Sequence, residues 1–262
     1  MIEWLEQAES VLTKYSLITA FAVVGALMWV SYWASRRLTA GRIHGSAIAI
    51  FIGLVIAYFG GSQTGGDHGI ADIPVFAGIG LMGGAMFRDL AIVATAFGVR
   101  MQEFVSTGIS GVVSLMLGVL LSFTVGAMVA YGFGYDDPQS MTTIGAGAAT
   151  YIVGPVTGEA IGASKEVIAL SVAAGLAKSI LVMIATPFVA PWIGLDNPRS
   201  ALIYGGLMGT TSGVAAGLAA TDPKLVPYGA MTATFYTGLG CLLGPSVIYL
   251  IISAILPAVP VT

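Results

Sequence analysis

Long apolar stretches separated by short polar turns run through most of this 262-residue chain. An α-helix rises about 1.5 Å per residue, so roughly 20 apolar residues cross the ~30 Å hydrocarbon core of a bilayer. The runs lack the alternation that marks the strands of a membrane barrel. The pattern therefore predicts an all-α polytopic membrane protein. After an acidic amphipathic lead-in over 1–16, its eight predicted membrane segments are 17–35, 44–60, 73–87, 108–133, 142–164, 166–190, 201–220 and 227–256. Pro245 is expected to interrupt the last of them.

The fifth predicted segment, 142–164, contains two residues that disfavour a continuous helix. Pro155 cannot donate a backbone N–H, and Gly154 beside it is conformationally free. Backbone groups freed by a break at membrane depth are tolerated only where protein or a water-filled cavity surrounds them. Many secondary transporters build their substrate and ion site from such discontinuous helices. We therefore expect 142–164 to form a broken or re-entrant helix that supplies half of a transport site.

The glycine pattern of this segment returns later in the chain, shifted from position 154 to position 209. It predicts a second broken segment over 201–222 and an internal structural repeat, although general glycine enrichment would produce a similar pattern. The matching pairs are Gly154 and Gly209, Thr157 and Ser212, Gly158 and Gly213, and Gly162 and Gly217. Small residues at four-residue spacing let helix backbones approach closely. The predicted single transmembrane domain, 1–262, then holds four spans over 17–133 and a core over 141–256.

The composition agrees with a protein embedded in lipid. Hydrophobic residues make up 56% of the chain and charged residues only 9%, against about 25% charged residues in a typical soluble domain. The net charge of −3 provides no basic patch, so nucleic acid is not expected as a partner. Cys241 is the sole cysteine, which excludes an internal disulfide.

Lysine and arginine residues divide unevenly between the two sets of predicted loops. Lys14 and Arg199 lie on one side of the membrane, and Lys178 falls inside a span. The other side holds Arg36, Arg37, Arg42, Arg88, Arg100, Lys165 and Lys224. By the positive-inside rule that second side is cytoplasmic and both termini face outward. Both glycine-rich segments then have the same orientation, and an inverted repeat would require one of them to be re-entrant.

Lys178 lies halfway along the predicted span 166–190, too deep for its side chain to reach the interface easily. An ionisable group at this depth costs at least about 2.5–3.5 kcal/mol unless it has a partner or a cavity. Lys178 therefore either attracts an anionic substrate or forms a structural pair with Glu159. Glu159 itself follows the break by one turn, where its carboxylate could hold a cation or a proton, or could lie near the surface beside Lys165.

Hydroxyl groups cluster on the two glycine-rich segments, as Thr142-Thr143 and as Thr210-Thr211-Ser212. Hydroxyl and carbonyl oxygens suit a desolvated Na⁺, and amides at half-helix N-termini suit carboxylates. Single Ser and Thr residues in helices usually only bond back to their own backbone. Four further polar residues of the last span either add a polar wall or pack in the core: Thr232, Thr234, Tyr236 and Thr237.

These observations together predict one site for a substrate and a coupling ion. The predicted substrate-binding residues are Lys178, Thr143, Thr150, Gly154, Thr157, Thr211, Ser212 and Gly213. The predicted ion-coupling residues are Thr142, Glu159, Thr210 and Asp222, although Asp222 could instead be a loop charge. A Na⁺ site is expected near Gly154, Pro155 and Gly209.

The sequence does not favour an enzyme. Its two histidines, His44 and His68, fall near span ends, and neither lies close in sequence to a candidate nucleophile. It contains no Walker motif, no dinucleotide fingerprint and no Cys/His metal cluster. We therefore expect no catalytic residues and no enzymatic cofactor.

Two long blocks of the chain are GRIHGSAIAI at 41–50 and GGLMGTTSGVAAG at 205–217, and further blocks are 71–74, 80–86, 92–98, 142–162 and 228–232. Together these blocks resemble the MadM subunit of the bacterial malonate carrier. The resemblance implies a two-component symporter that takes up malonate with Na⁺ across the cytoplasmic (inner) membrane of a bacterium. It also implies a smaller membrane subunit, MadL, as the partner, and it leaves open whether the carrier forms a higher oligomer.

A second resemblance keeps another function open. The last two glycine-rich segments are similar to LrgB/CidB-type membrane proteins, which also pair with a small partner. This similarity implies a membrane structural or regulatory subunit without malonate transport of its own. Binding of malonate would separate the two functions.

Overall fold

The computed structural model describes residues 2–41, 43–65, 69–82 and 101–256. Over these ranges the chain forms helices and turns and no β-strand, which confirms the predicted all-α class. The chain divides into two compact units, Met1–Ala94 and Thr95–Thr262, and each is described by itself. The end of the predicted span 73–87 lies outside the described residues, as do Arg42, His68, Arg88 and Arg100.

The first unit begins with the acidic lead-in, which is helical. Its described α-helices are α1 (Ile2–Lys14), α2 (Ser16–Leu38), α3 (Gly45–Thr64) and α4 (Ala77–Met82), with 3₁₀ turns at Gly69–Asp72 and Pro74–Phe76. His44 caps the N-terminus of α3, and its ring meets the edge of the Tyr32 ring of α2 at 5.2 Å between centroids. The absence of a side chain at Gly45 leaves room for Tyr32, because a Cβ there would approach the ring to 2.6 Å.

The second unit contains all the residues predicted to bind substrate and ion. Its described α-helices are α5 (Met101–Gly132), α6 (Pro138–Ala149), α7 (Val153–Ile161), α8 (Lys165–Val189), α9 (Pro198–Met208), α10 (Thr211–Thr221), α11 (Val226–Leu243) and α12 (Tyr249–Ile255). A 3₁₀ turn, Pro223–Leu225, precedes α11. Gly108 has a non-helical backbone (φ 60°, ψ −150°), so the regular part of α5 follows it.

Five stretches of the described chain are long and apolar enough to cross a membrane. They are Ser16–Leu38, Gly45–Thr64, Gly108–Gly132, Lys165–Val189 and Pro223–Ile255, and each coincides with a predicted segment. A multi-pass membrane protein is therefore shown. The count of eight stays a prediction, because 73–87 runs beyond the described residues and the two glycine-rich segments each form a pair of short helices. At 1.5 Å per residue the 12-residue α6 is only about 18 Å long.

Large apolar side chains cover the outside of the long helices. Leu120 of α5 exposes 45% of its surface and Leu181 of α8 exposes 67%. A water-soluble monomer rarely shows so much apolar surface, whereas lipid tails solvate it without penalty. These faces therefore lie against lipid.

Small residues allow the short helices to pack tightly between the long ones. Gly147 of α6 lies directly against the backbone of Ser171 of α8, so that a Cβ at 147 would overlap it. Gly118 of α5 approaches the carbonyl groups of Gly206 and Leu207 at the end of α9 in the same way. Backbone contact of this kind is how helices associate in lipid, where burial of apolar surface contributes little.

The predicted interruption of the last span at Pro245 is confirmed. Gly244–Ile248 forms a single π-helical turn between α11 and α12. Proline has no N–H for the regular helical hydrogen bond, and a wider turn accommodates its ring. Single π-turns of this type often occur at functional positions of helices.

Candidate functional site

The first interruption separates α6 from α7. Thr150 has an extended backbone (φ −161°, ψ 149°), and the helix restarts at Val153. The predicted break is thus confirmed, but it lies a few residues before Gly154-Pro155. Pro155 is tolerated in the first turn of α7, because the amides of a first turn have no helical acceptor in any case.

The second interruption lies at Gly209 and Thr210, between α9 and α10, within the predicted segment. Gly209 has a left-handed backbone (φ 71°) that a residue with a side chain rarely adopts. Thr210 caps α10, since its Oγ1 accepts a hydrogen bond from the Gly213 amide at 3.4 Å. Both glycine-rich segments are therefore pairs of short helices with free ends inside the unit.

Lys178 of α8 reaches the first interruption. Its Nζ donates to the carbonyl of Ala149, the last residue of α6, and to Ser122 Oγ of α5, both at 2.9 Å. The last carbonyls of a helix lack helical donors and carry partial negative charge, so this position suits an ammonium group. Within the part of the chain that the structure describes, Lys178 has no carboxylate partner. Glu159 is exposed, so the pair between these residues considered from the sequence does not form.

Tyr236 of α11 connects the ammonium group to the second interruption. Lys178 Nζ lies 5.2 Å from the centroid of the Tyr236 ring, within the range of a cation–π contact. The Tyr236 ring also packs directly against Gly209 of the second interruption, because a Cβ at Gly209 would overlap the ring. The Tyr236 hydroxyl donates to the Gly118 carbonyl at 3.0 Å, which fixes the ring. One fully buried tyrosine therefore contacts both the cation and the second break.

Ser179, the next residue of α8, contacts the second interruption directly. Its Oγ lies 2.5 Å from Thr210 Oγ1, and a Cβ at Gly213 would approach the Ser179 carbonyl to 2.9 Å. Neighbouring residues of a helix point about 100° apart. Lys178 thus contacts the first interruption and Ser179 contacts the second, so α8 passes between the two.

Unpartnered hydroxyl groups concentrate on the interrupted segments. In the described residues six buried side-chain oxygens have no hydrogen-bond partner, and four of them belong to Thr143, Thr157, Thr211 and Ser212. A buried polar group left without a partner costs about 1–3 kcal/mol. All four are residues that the sequence assigned to the substrate site.

The remaining predicted residues have mainly local roles. Thr142 Oγ1 donates to the Pro138 carbonyl at 2.6 Å, and the Ile152 amide donates to Thr150 Oγ1 at 3.5 Å. Asp222 caps the 3₁₀ turn after α10, where its carboxylate accepts from the Lys224 amide at 3.0 Å. Gly154 packs against Ser171, since a Cβ at 154 would overlap the Ser171 side chain. The structure brings Lys178, Thr150 and Thr210 toward the interruptions, whereas Asp222 lies at the far end of α10.

Three polar residues at the centre were not assigned to the site from the sequence. Ser122 and Ser179 are single serines in apolar spans, which give no signal above ordinary back-bonding. Tyr236 belonged to the polar series on the last span, whose role the sequence left open. The nearest signal was the depth of Lys178, because a buried ammonium group requires acceptors around it.

The comparison with protein families gives one match. Residues 8–256 match MadM, described as the malonate/sodium symporter MadM subunit. This chain belongs to the MadM family. The comparisons with curated proteins and with solved structures give no match.

Membership of the MadM family confirms the resemblance found in the sequence. The family consists of transporter subunits and not of enzymes, and a subunit works with a partner. Its description names malonate as the substrate and sodium as the coupling ion. In the described residues no group of three or more His, Cys, Asp or Glu side chains could hold a metal ion.

Proposed function

We propose that this chain is the large subunit of a two-component malonate:Na⁺ symporter of the bacterial cytoplasmic membrane, working with a small MadL-type subunit. The observation that carries the proposal is the position of Lys178 Nζ at the free end of α6, in contact with the tyrosine that touches the second interruption. An ammonium group without a carboxylate partner is an attractive position for an anion. Family membership supplies the identity of that anion.

Malonate binds with one carboxylate on Lys178 in this proposal. The incoming carboxylate replaces the Ala149 carbonyl as an acceptor for the ammonium group, and a charged acceptor forms the stronger hydrogen bond. The second carboxylate faces the N-terminal turn of α10 beside Gly213, where Thr211 and Ser212 supply hydroxyl and amide donors. Thr150 and Gly154 line the opposite side at the first interruption.

Coupling to Na⁺ follows from the charge of the substrate. Malonate is largely a dianion at neutral pH, and the cell interior is negative. Moving two negative charges inward costs about 4.6 kcal/mol per 100 mV, from ~2.3 kcal/mol per charge. Two co-transported cations offset this term, and their own gradient can drive accumulation.

The interrupted segments are proposed to carry the movement. Each pair, α6 with α7 and α9 with α10, either completes a crossing of about 30 Å or re-enters on the same side. Counting each pair once, together with 73–87, gives the eight-segment arrangement. Sliding of these short helices against α8 would expose the site alternately to the two sides.

Reconstituted transport tests the proposal. We expect proteoliposomes that hold this chain and its small partner to accumulate labelled malonate when an inward Na⁺ gradient is imposed, with little accumulation when choline replaces Na⁺. The measurement is initial uptake at matched ionic strength. Uptake that is indifferent to both the Na⁺ and the proton gradient would contradict the coupling.

Ligand-dependent stability separates this function from the LrgB/CidB-like alternative. A ligand that binds only the folded state raises the unfolding temperature. We expect malonate to stabilise the purified carrier and acetate to leave it unchanged. Equal melting temperatures with and without malonate would favour a structural or regulatory subunit.

A further inference from the structure

Two of the unpartnered hydroxyl groups of the second unit belong to side chains that are completely buried. Several other threonines and serines of this unit bond back to their own helix, as Thr142 does to Pro138, Ser171 to Ile168 and Thr237 to Ala233. Among the residues that the structure describes, Thr143 Oγ1 and Thr157 Oγ1 find no hydrogen-bond partner, although both side chains are 0% exposed. Back-bonding is available to any helical threonine. The hydroxyls of Thr143 and Thr157 are therefore turned away from the carbonyl of the preceding helical turn, which would be their usual acceptor.

Both hydroxyls belong to the pair of helices around the first interruption. Thr143 lies on α6 and Thr157 on α7, and the two helices are in contact there, since a Cβ at Gly158 would approach Thr143 Cγ2 to 2.8 Å. The Thr157 hydroxyl also lies directly against Gly244, where a Cβ would contact it. Gly244 opens the π-turn that accommodates Pro245. Thr157 Oγ1 thus lies against the π-turn, and Thr143 packs against α7 at Gly158, the residue next to Thr157.

The chemistry around these oxygens suits a cation and not a second anion site. Hydroxyl oxygens are ligands for hard cations such as Na⁺, and carbonyls at broken helices supplement them. Thr143 precedes Ala149 by six residues, which is about 9 Å along α6, so Thr143 lies about two turns from the Lys178 contact. A cation at this distance would be attracted by malonate bound to Lys178 and would not collide with the ammonium group.

We infer that Thr143 and Thr157 bind the coupling Na⁺, at a site separate from the Lys178 site that receives malonate. This inference rests on the proposed symport. It refines that proposal by assigning to the ion two residues that the sequence analysis assigned to the substrate. The two hydroxyls supply part of the coordination shell, and backbone carbonyls or water complete it. The malonate site then keeps Lys178 and the N-terminal turn of α10.

The test removes each hydroxyl without changing side-chain volume. Thermal unfolding of the purified carrier is followed without malonate, while NaCl replaces choline chloride at constant ionic strength. We expect Na⁺ to stabilise the unaltered protein, and Thr143→Val and Thr157→Val each to raise the half-saturating Na⁺ concentration about tenfold or more. Thr143→Ser and Thr157→Ser keep the hydroxyl and should retain the response. Thr237→Val is the matched control, because its hydroxyl is buried but already bonded to its own helix.

The possible results decide separately on this inference and on the proposed function. Valine variants that respond to Na⁺ like the unaltered protein would overturn the inference, and would indicate that buried water fills the space. If the unaltered protein takes up malonate with Na⁺ and the valine variants keep the same Na⁺ affinity, only this inference fails and the symport proposal stands. An unaltered protein that shows neither Na⁺ stabilisation nor Na⁺-dependent uptake would overturn both.

Discussion

Lys178→Ala is expected to reduce malonate uptake to background while the protein still inserts and folds. The substitution removes the only ammonium group at the first interruption in the described chain, together with its contacts to Ala149, Ser122 and Tyr236. A hydrogen bond to a charged group contributes about 1.5–3 kcal/mol, which corresponds to roughly 10- to 150-fold in affinity. Uptake of labelled malonate and malonate-dependent thermal stabilisation measure the effect.

Lys224→Ala is the matched control for this prediction. Lys224 is exposed in the turn after α10, and its hydrogen bond to Asp222 uses its backbone amide. Exposed charges of this kind contribute little to stability or to binding at a distant site. The control should transport normally. Normal transport by Lys178→Ala would show that the ammonium group serves only to hold α6, α5 and α11 together.

Gly209→Ala is expected to cause the second large effect, a loss of uptake with reduced thermal stability. An alanine at 209 would have to adopt the left-handed backbone (φ 71°), which costs about 1–2 kcal/mol for a residue with a Cβ. The same Cβ would overlap the buried Tyr236 ring, and overpacking of this kind typically costs a further 1–3 kcal/mol, roughly. Displacement of Tyr236 would also move the aromatic ring away from Lys178. Uptake and the midpoint of thermal unfolding are measured together.

Gly194→Ala separates backbone strain from packing. Gly194 also has a left-handed backbone (φ 63°), but a Cβ there meets nothing within 4 Å. We expect this variant to show the strain alone, with a smaller loss of stability and nearly normal uptake. If the alanine variants at 209 and 194 behaved alike, contact between the second interruption and Tyr236 would have no role in transport.

The sequence predicts the interruptions well because their causes are local. Glycine at 209 permits the left-handed backbone, and proline at 245 removes a helical donor, so both breaks occur where expected. The first break was placed a few residues late. Proline at 155 is compatible with a first helical turn, so it marks the start of α7 and not the gap itself.

The partners of Lys178 could not be predicted, because they come from distant parts of the chain. Ser122 is 56 residues away and Ala149 is 29 residues away. The packing of α5, α6 and α11 around α8 decides which acceptors reach the ammonium group. A single sequence contains no record of such contacts, whereas the depth of the lysine in an apolar span was visible directly. The number of crossings likewise depends on how the short helices sit in the bilayer.

The role of Tyr236 illustrates the same limit. Its position among Thr232, Thr234 and Thr237 indicated a polar face on the last span. In the structure these three threonines bond to backbone carbonyls, whereas the tyrosine ring joins Lys178 to Gly209. Helical periodicity places residues on one face but does not show which of them meets a ligand.

A structure of the carrier determined with malonate and NaCl would test the arrangement of the site most directly. We expect density for a dicarboxylate between residues 149–152 and 209–213, with one carboxylate within hydrogen-bond distance of Lys178 Nζ. Malonate bound elsewhere, with Lys178 still donating to the Ala149 carbonyl and Ser122, would contradict a substrate site built from the two interrupted helices.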